Sequence, residues 1–262
     1  MSGRDEYYNK AKQQGYRARS AYKLKQIDAE ADVLSAGDTV VDLGAAPGGW
    51  LQVAAEAAGA SGRVVGVDLQ RIDDLEDHQA STVRGDMTEE RTRARLRAEL
   101  GASESDRPAD VVVSDMAPNM TGEYSLDHAR SVHLARQAFE TALDLLKPGG
   151  DFVVKVFDGP DLEAFREDVG REFQYVRAYT PDASRKQSSE RYLIAKGRTD
   201  APVREGETLT VEVTETGDEG DGIAKVDGYT LFVAGTEAGE TVEARVTDLK
   251  PRFGFAERVD RD

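Results

Sequence analysis

Apolar and polar positions along the chain fall into two regimes. As far as about residue 197, short apolar runs alternate with longer segments of helical period, and beyond residue 205 the period drops to two. In the first regime, residues 5–32 read as helical with a break near Gly15, and Ala21, Leu24 and Ile27 form one stripe. Gly37-Asp38 opens the strand Val40–Leu43. That strand runs into the small-residue turn Gly44-Ala45-Ala46-Pro47-Gly48-Gly49 and a helix start at Gly48–Gln52. Further strands are predicted at Arg63–Val67, Thr82–Arg84, Ala109–Ser114 and Asp151–Phe157, then near Phe173–Ala178 and Arg191–Lys196. Helices are predicted at 89–100, Tyr124–Leu146 and Asp161–Gly170, the long one stopped by Lys147-Pro148-Gly149-Gly150. This alternation predicts an α/β, Rossmann-like domain with a mostly parallel sheet.

In the second regime the strands Thr208–Glu215, Thr230–Ala234 and Thr241–Val246 are separated by Gly/Asp turns such as 217–222. Short strands with glycine turns predict a small, OB-like β-barrel. The chain is therefore expected to divide into a domain at 1–197, a linker at 198–204 containing Pro202, and the barrel at 205–262. The barrel has no catalytic cluster and reads as a binding module. With no cysteine among 262 residues, disulfides, thiolate metal sites and cysteine nucleophiles are excluded. The polar, charged N-terminus and the lack of a long apolar run suggest a soluble, cytoplasmic protein.

Charge complicates the search for a partner. The formal net charge is −16, which ordinarily argues against a nucleic-acid ligand. The charge is uneven, however. Residues 1–25 hold Arg4, Lys10, Lys12, Arg17, Arg19, Lys23 and Lys25 against Asp5 and Glu6, whereas residues 201–262 hold seven basic and fifteen acidic residues. Elsewhere, acids such as Asp73, Asp74, Glu76 and Asp77 read as solvated surface. Only ten of the 34 basic residues are lysine. An acidic, lysine-poor surface suggests adaptation to high salt, where the screening length is only ~3 Å. An RNA ligand then depends on close contacts and shape, and the acidity does not exclude one. The basic N-terminal arm suits phosphates, or is an ordinary amphipathic helix with snorkelling cations.

Candidate chemistry gathers at the strand ends. Glycines at the 44–49 corner allow close backbone approach, and a helix N-terminus offers N–H groups there. The order is not the dinucleotide pattern G-x-G-x-x-G, and Pro47 removes a donor where a pyrophosphate needs one. A nicotinamide dehydrogenase is disfavoured on that ground. Asp42, Asp68 and Asp86 close three successive strands and suit a ligand with a ribose, an amino group and a positive centre, as in S-adenosylmethionine (SAM); capping acids beside a structural turn are the alternative. Asp115-Met116-Ala117-Pro118-Asn119 follows another strand at the same carboxyl edge. Lys155 interrupts an apolar strand, where a lysine is costly unless paired or used; a buried structural ion pair is the alternative. The polar loop from Asp182 to Glu190, with Arg185 and Lys186, can close over a substrate or simply face solvent.

The segments Asp42–Trp50, Asp115–Asn119, Lys155-Val156-Phe157 and Ser20-Ala21-Tyr22-Lys23-Leu24 together closely resemble the FtsJ-like family of ribose 2'-O-methyltransferases. The resemblance covers about residues 5–197, and within the family it is closest to heat-shock-type enzymes that methylate a uridine of large-subunit ribosomal RNA. Asp221–Ala224, Leu231–Val233 and Ala238–Ala244 resemble a TRAM domain, an RNA-binding β-barrel. The resemblance implies a catalytic set of Lys155, Lys23, Asp115 and Glu190, and a SAM site at Gly48, Trp50, Asp68, Asp86 and Asp115. It implies methylation of a uridine 2'-hydroxyl in 23S ribosomal RNA, in assembled large subunits, by a monomer that binds neither DNA nor membrane. A transfer RNA substrate, and a non-catalytic RNA-binding assembly factor, are the alternatives. No metal site is expected, since His78, His128 and His133 have no convincing pair.

Overall fold

The computed structural model describes residues 6–75, 80–185, 188–217 and 220–259. Arg4, Asp5, Glu76, Asp77, His78 and Lys186, named above, lie outside them, as does part of the 217–222 turn. Two helices, α1 (Glu6–Gln13) and α2 (Ala21–Ala31), precede the first strand, β1 (Thr39–Leu43), and the helical path is interrupted at Gly15, where φ is +79°. Then come α3 (Gly49–Ala58), β2 (Arg63–Asp68), β3 (Ala80–Arg84), α4 (Glu90–Leu100), β4 (Ala109–Ser114) and α5 (Tyr124–Leu145). The unit closes with β5 (Leu146–Phe157), α6 (Leu162–Gly170), β6 (Phe173–Tyr179) and β7 (Glu190–Arg198).

Seven strands form one sheet in the order β3-β2-β1-β4-β5-β7-β6; β7 alone runs antiparallel to both of its neighbours. Period-two alternation sends neighbouring residues of β1 to opposite faces. Val40 packs with Leu24, Ile27 and Leu51 beneath α2 and α3, and Val41 packs with Leu96, Phe139 and Phe165 beneath α4, α5 and α6. The carboxyl ends of β1, β2, β4 and β5 therefore meet along one edge, where an open α/β sheet places its ligands.

Beyond β7 the chain forms β8 (Thr208–Thr216), β9 (Gly222–Val226), β10 (Tyr229–Ala234), β11 (Thr241–Leu249) and β12 (Phe253–Arg258), a closed barrel in the order β10-β12-β11-β8-β9. Val213, Leu231, Val233, Ala244 and Val246 fill it. Its β11–β12 turn meets the sheet: Gln174 Nε2 donates to Leu249 O at 2.7 Å, and the Asp200 N–H to Pro251 O at 3.4 Å. Among the described residues no helix is long and apolar enough to cross a membrane.

Three local expectations are corrected. The Lys147–Gly150 segment ends α5 but belongs to β5, whose pairing with β4 shifts register between Ala109 and Val111. Glu190 is the first residue of β7 and not the end of the preceding loop. The barrel contains β9 and β12 besides the three strands expected, because their buried positions are small (Gly222, Ala224, Gly254, Ala256) while the large apolar Ile223, Phe253 and Phe255 stand outward, which hides the period.

Candidate active site at the carboxyl edge of the sheet

The corner is built by close approach. Gly44 has φ +79°, and a Cβ there would run into Met116, so only glycine lets the turn pass the 115–119 loop. The Gly44 and Ala45 N–H groups donate to Val67 O at 2.8 and 3.1 Å, and the Ala46 N–H donates to Asp68 Oδ2 at 2.9 Å. The Ala46–Pro47 peptide bond is cis. The turn is thus bound to the tip of β2.

A cavity of about 690 Å³ opens beside it, lined by Asp68, Gln70, Asp86, Asp115, Asn119 and other residues. Asp86 accepts from the Thr88 N–H at 2.9 Å and from the Thr88 hydroxyl at 2.8 Å, and these bonds hold its carboxyl below the usual range. Three carboxylates from three strand ends thus face one space of the size that holds small ligands. The expected site residues Gly48 and Trp50 do not line it. Gly48 donates its N–H to Ala45 O at 2.7 Å, while the Trp50 indole is 3 % exposed and donates to Ser20 O at 2.8 Å. What the structure assigns to Trp50 is the docking of the Ser20–Leu24 segment onto α3.

Asp42 also departs from expectation. It was grouped with Asp68 and Asp86 as a ligand-facing acid, but it is wholly buried and neither of its carboxyl oxygens has a hydrogen-bond partner. Burial, with Asp115 and Asp68 nearby, pushes its carboxyl well above the usual range. Its surroundings therefore favour the neutral form over the carboxylate.

A second cavity, about 730 Å³, adjoins the first and shares Asp115 and Ala117 with it. Arg19, Lys23, Lys155, Arg185 and Glu190 line it. Strand pairing explains the convergence. Lys155 lies opposite Tyr192, and Phe157 opposite Glu190, so these four side chains share one face of the β5–β7 ladder. Lys155 Nζ lies 2.9 Å from Asp115 Oδ1 and also donates to the Asp115 carbonyl. Lys23 Nζ, from α2, lies 2.8 Å from Glu190 Oε2 and 4.0 Å from Asp115 Oδ1. The four residues expected from sequence are thus one continuous charge chain, with both lysines buried.

Sequence reasoning missed Tyr192. Its hydroxyl donates to Asp115 Oδ1 at 2.6 Å, its ring packs 5.8 Å from that of Trp50, and Lys23 sits 5.6 Å from its centroid. Burial and the neighbouring Asp115 and Glu190 carboxylates keep the phenol far above its ordinary value, so it remains a donor. Burial works to raise Asp115, but Lys155, Lys23 and the Tyr192 hydrogen bond outweigh it and hold the carboxyl low. A fixed carboxylate thus stands between two ammonium groups at the junction of two cavities. Such a group can orient an amine toward a hydroxyl in one cavity while facing a positive centre in the other.

Elsewhere the polar residues mostly serve the fold. Arg17 donates to the Asp73 and Asp74 carbonyls, both at 2.5 Å, and Lys25 pairs with Glu56 at 3.5 Å. His128 is buried, with Nδ1 3.1 Å from Phe157 O, and the exposed His133 lies on the first cavity.

A family model described as FtsJ-like methyltransferase matches residues 16–198, and one described as TRAM domain matches residues 202–259. The chain is 70 % identical over 260 residues to the ribosomal RNA large subunit methyltransferase E of Halorubrum lacusprofundi, covering 99 % of this chain and 95 % of that one. It is 68 % identical to the protein of the same name from Natronomonas pharaonis, covering 99 % of this chain and all of the other. Among solved structures, a Plasmodium falciparum protein described as a putative ribosomal RNA methyltransferase aligns with a TM-score of 0.61 and 24 % identity. It covers 70 % of this chain and 98 % of its own, a likeness of fold.

Proposed function

The chain belongs to the FtsJ-like methyltransferase family, and from that premise we propose that it methylates the 2'-hydroxyl of a uridine ribose in large-subunit (23S) ribosomal RNA, using SAM. The proposal takes the assembled large subunit as substrate, a monomer as the working unit and the cytoplasm as its place. The observation that carries it is the Lys155–Asp115–Lys23–Glu190 chain at the junction of the two cavities.

The first cavity fits SAM in its donor set. Asp68 and Asp86 offer carboxylates to ribose hydroxyls and an amino group, and Asp115 offers one to a positive sulfur. Gly48 and Trp50 enter the proposed SAM site on the family resemblance alone, since neither lines this cavity, the Gly48 N–H is donated to Ala45 O and the indole to Ser20 O. When bound, SAM supplies a methyl group activated by the sulfonium charge. The protein's part is on the acceptor side. A ribose hydroxyl is a weak acid and needs a base within hydrogen-bond reach as its oxygen attacks. The neutral amine form of Lys155, held by the Asp115 carboxylate and carbonyl, is the form we assign to take that proton, becoming the ammonium that pairs with Asp115. Glu190 holds Lys23 beside Asp115, where its charge and the Tyr192 hydroxyl keep the carboxylate ionised and in place.

Calorimetry with SAM and a transfer assay with labelled SAM test the reading together. Wild type and Lys155→Ala are expected to bind SAM alike, with only wild type labelling RNA. Absence of SAM binding in the wild type would instead favour a non-catalytic RNA-binding factor.

A further inference from the structure

The proposed reading gives the barrel no more than a general affinity for RNA. We infer that Phe232, Phe253 and Phe255 form a stacking platform for bases of a single-stranded segment of the substrate RNA, away from the nucleotide that is methylated. This rests on the reading of the protein as an RNA methyltransferase and names the second place at which it holds RNA.

All three rings come from the outward positions of adjacent strands. On β12 the buried residues are Gly254 and Ala256, leaving Phe253 and Phe255 outside; on β10 the buried residues are Tyr229, Leu231 and Val233, leaving Phe232 outside. The strands are parallel neighbours with Phe232 opposite Phe255, so the rings meet with centroids 5.6–5.8 Å apart. Phe253 and Phe255 remain 37 % and 38 % exposed, the only large apolar side chains in the described barrel so open to solvent. Nothing in barrel folding asks for aromatic rings on that face, and a cluster of them outside is a contact surface.

Local charge indicates which partner. Acids outnumber bases by fifteen to seven over residues 201–262, yet Lys225, Lys250 and Arg252 stand around the Phe253 end of the patch against Asp227, while at the Phe255 end Asp248 lies opposite Phe255 and the outward Glu257 lies opposite Arg245. Asp248 is neutralised by Lys250 at 2.7 Å, and the exposed Arg252 makes no ion pair or hydrogen bond with the described residues. The outward Glu212 and Glu215 are on β8, which is no neighbour of β10 or β12. Aromatic faces edged by a few cations, in a barrel otherwise acidic, fit bases joined by phosphates. Stacking also survives the salt that the acidic surface implies, whereas contacts made by charge alone do not.

Distance separates this platform from the chemistry. β7 runs from Glu190 in the second cavity to Arg198, just before the barrel, so the two places lie at opposite ends of the sheet, roughly 25 Å apart along the strand. The platform therefore acts on RNA affinity and not on the transfer step.

The test uses the full chain and a fluorescein-labelled oligouridylate of ~12 nucleotides, followed by anisotropy at ~0.5 M and ~2 M KCl. The double variant Phe232→Ala/Phe255→Ala is expected to bind at least about tenfold more weakly at both salts. Phe255→Trp should keep the affinity, and Arg252→Gln should flatten the salt dependence by roughly 0.7 in log–log slope. With large subunits as substrate, the double variant should raise KM and leave kcat and SAM binding unchanged. Unchanged affinity in a double variant that melts like wild type would overturn the platform, as would wild type failing to bind the probe or binding it only at the lower salt. Concentration-dependent dimers that the double variant abolishes would assign the patch to self-association and overturn it too. If no methyl group is transferred to any RNA while the stacking pattern holds, the proposed function fails and the platform stands.

Discussion

At the scale of single residues, Asp42 and Asp115 show how little separates two carboxyls in sequence and how much in state. Each sits at the end of a central strand, and burial opposes ionisation of both. Asp115 has two lysines and a phenol around it and its carboxyl is held low, while Asp42 has only other acids near it and its carboxyl is pushed well above the usual range. Asp42 therefore opposes folding as pH rises. Its raised folded-state value means that the native protein binds more protons than the unfolded chain, so the stability held below about pH 4 is lost as pH climbs toward the folded value. Asp42→Asn removes this dependence. The variant is expected to gain about 1–3 kcal/mol over wild type at pH 8, with a smaller gain at pH 5, read from urea unfolding at both. A gain that shrinks with rising pH would show Asp42 to be ionised. The sequence signalled an acid at this position but not its partners, and partners decide its charge. Tyr192 stayed hidden for the same reason: a tyrosine in an apolar strand is unremarkable until Lys155 is known to lie across from it.

At the scale of elements, most of the sheet was legible because its strands are buried on both faces and read as apolar runs between glycine turns. The corner was legible too, since its glycines have no other use. Gly44→Ala would place a methyl group into Met116 at φ +79°, and is expected to cost about 2 kcal/mol or more in unfolding free energy and to weaken SAM binding measured by calorimetry. Wild-type stability and SAM affinity in that variant would mean the corner is looser than its hydrogen bonds indicate. The weak signals were short ones: β9 and β12, and the start of β7, where Glu190 resembled a loop residue although its register with Phe157 brings it to Lys23. The roles of Gly48 and Trp50 rest on resemblance alone, and neither residue lines the first cavity.

At the scale of the whole molecule, the two cavities lie at the carboxyl edge of the sheet and the barrel follows the Arg198 end of β7, on a chain of net charge −16. Self-repulsion of that charge opposes folding unless salt screens it. The melting temperature is accordingly expected to rise as KCl goes from ~0.1 M to ~2 M, and a flat or falling curve would remove high-salt adaptation from the account. The chemistry at Lys155 is best read on the full substrate. Large subunits from a methylation-deficient strain would be incubated with labelled SAM and the modified ribose mapped. One labelled uridine 2'-oxygen in 23S ribosomal RNA is expected with wild type, and a rate lower by about a hundredfold or more with Lys155→Ala at unchanged SAM affinity. Label on transfer RNA alone, or near-wild-type transfer by Lys155→Ala, would contradict that expectation.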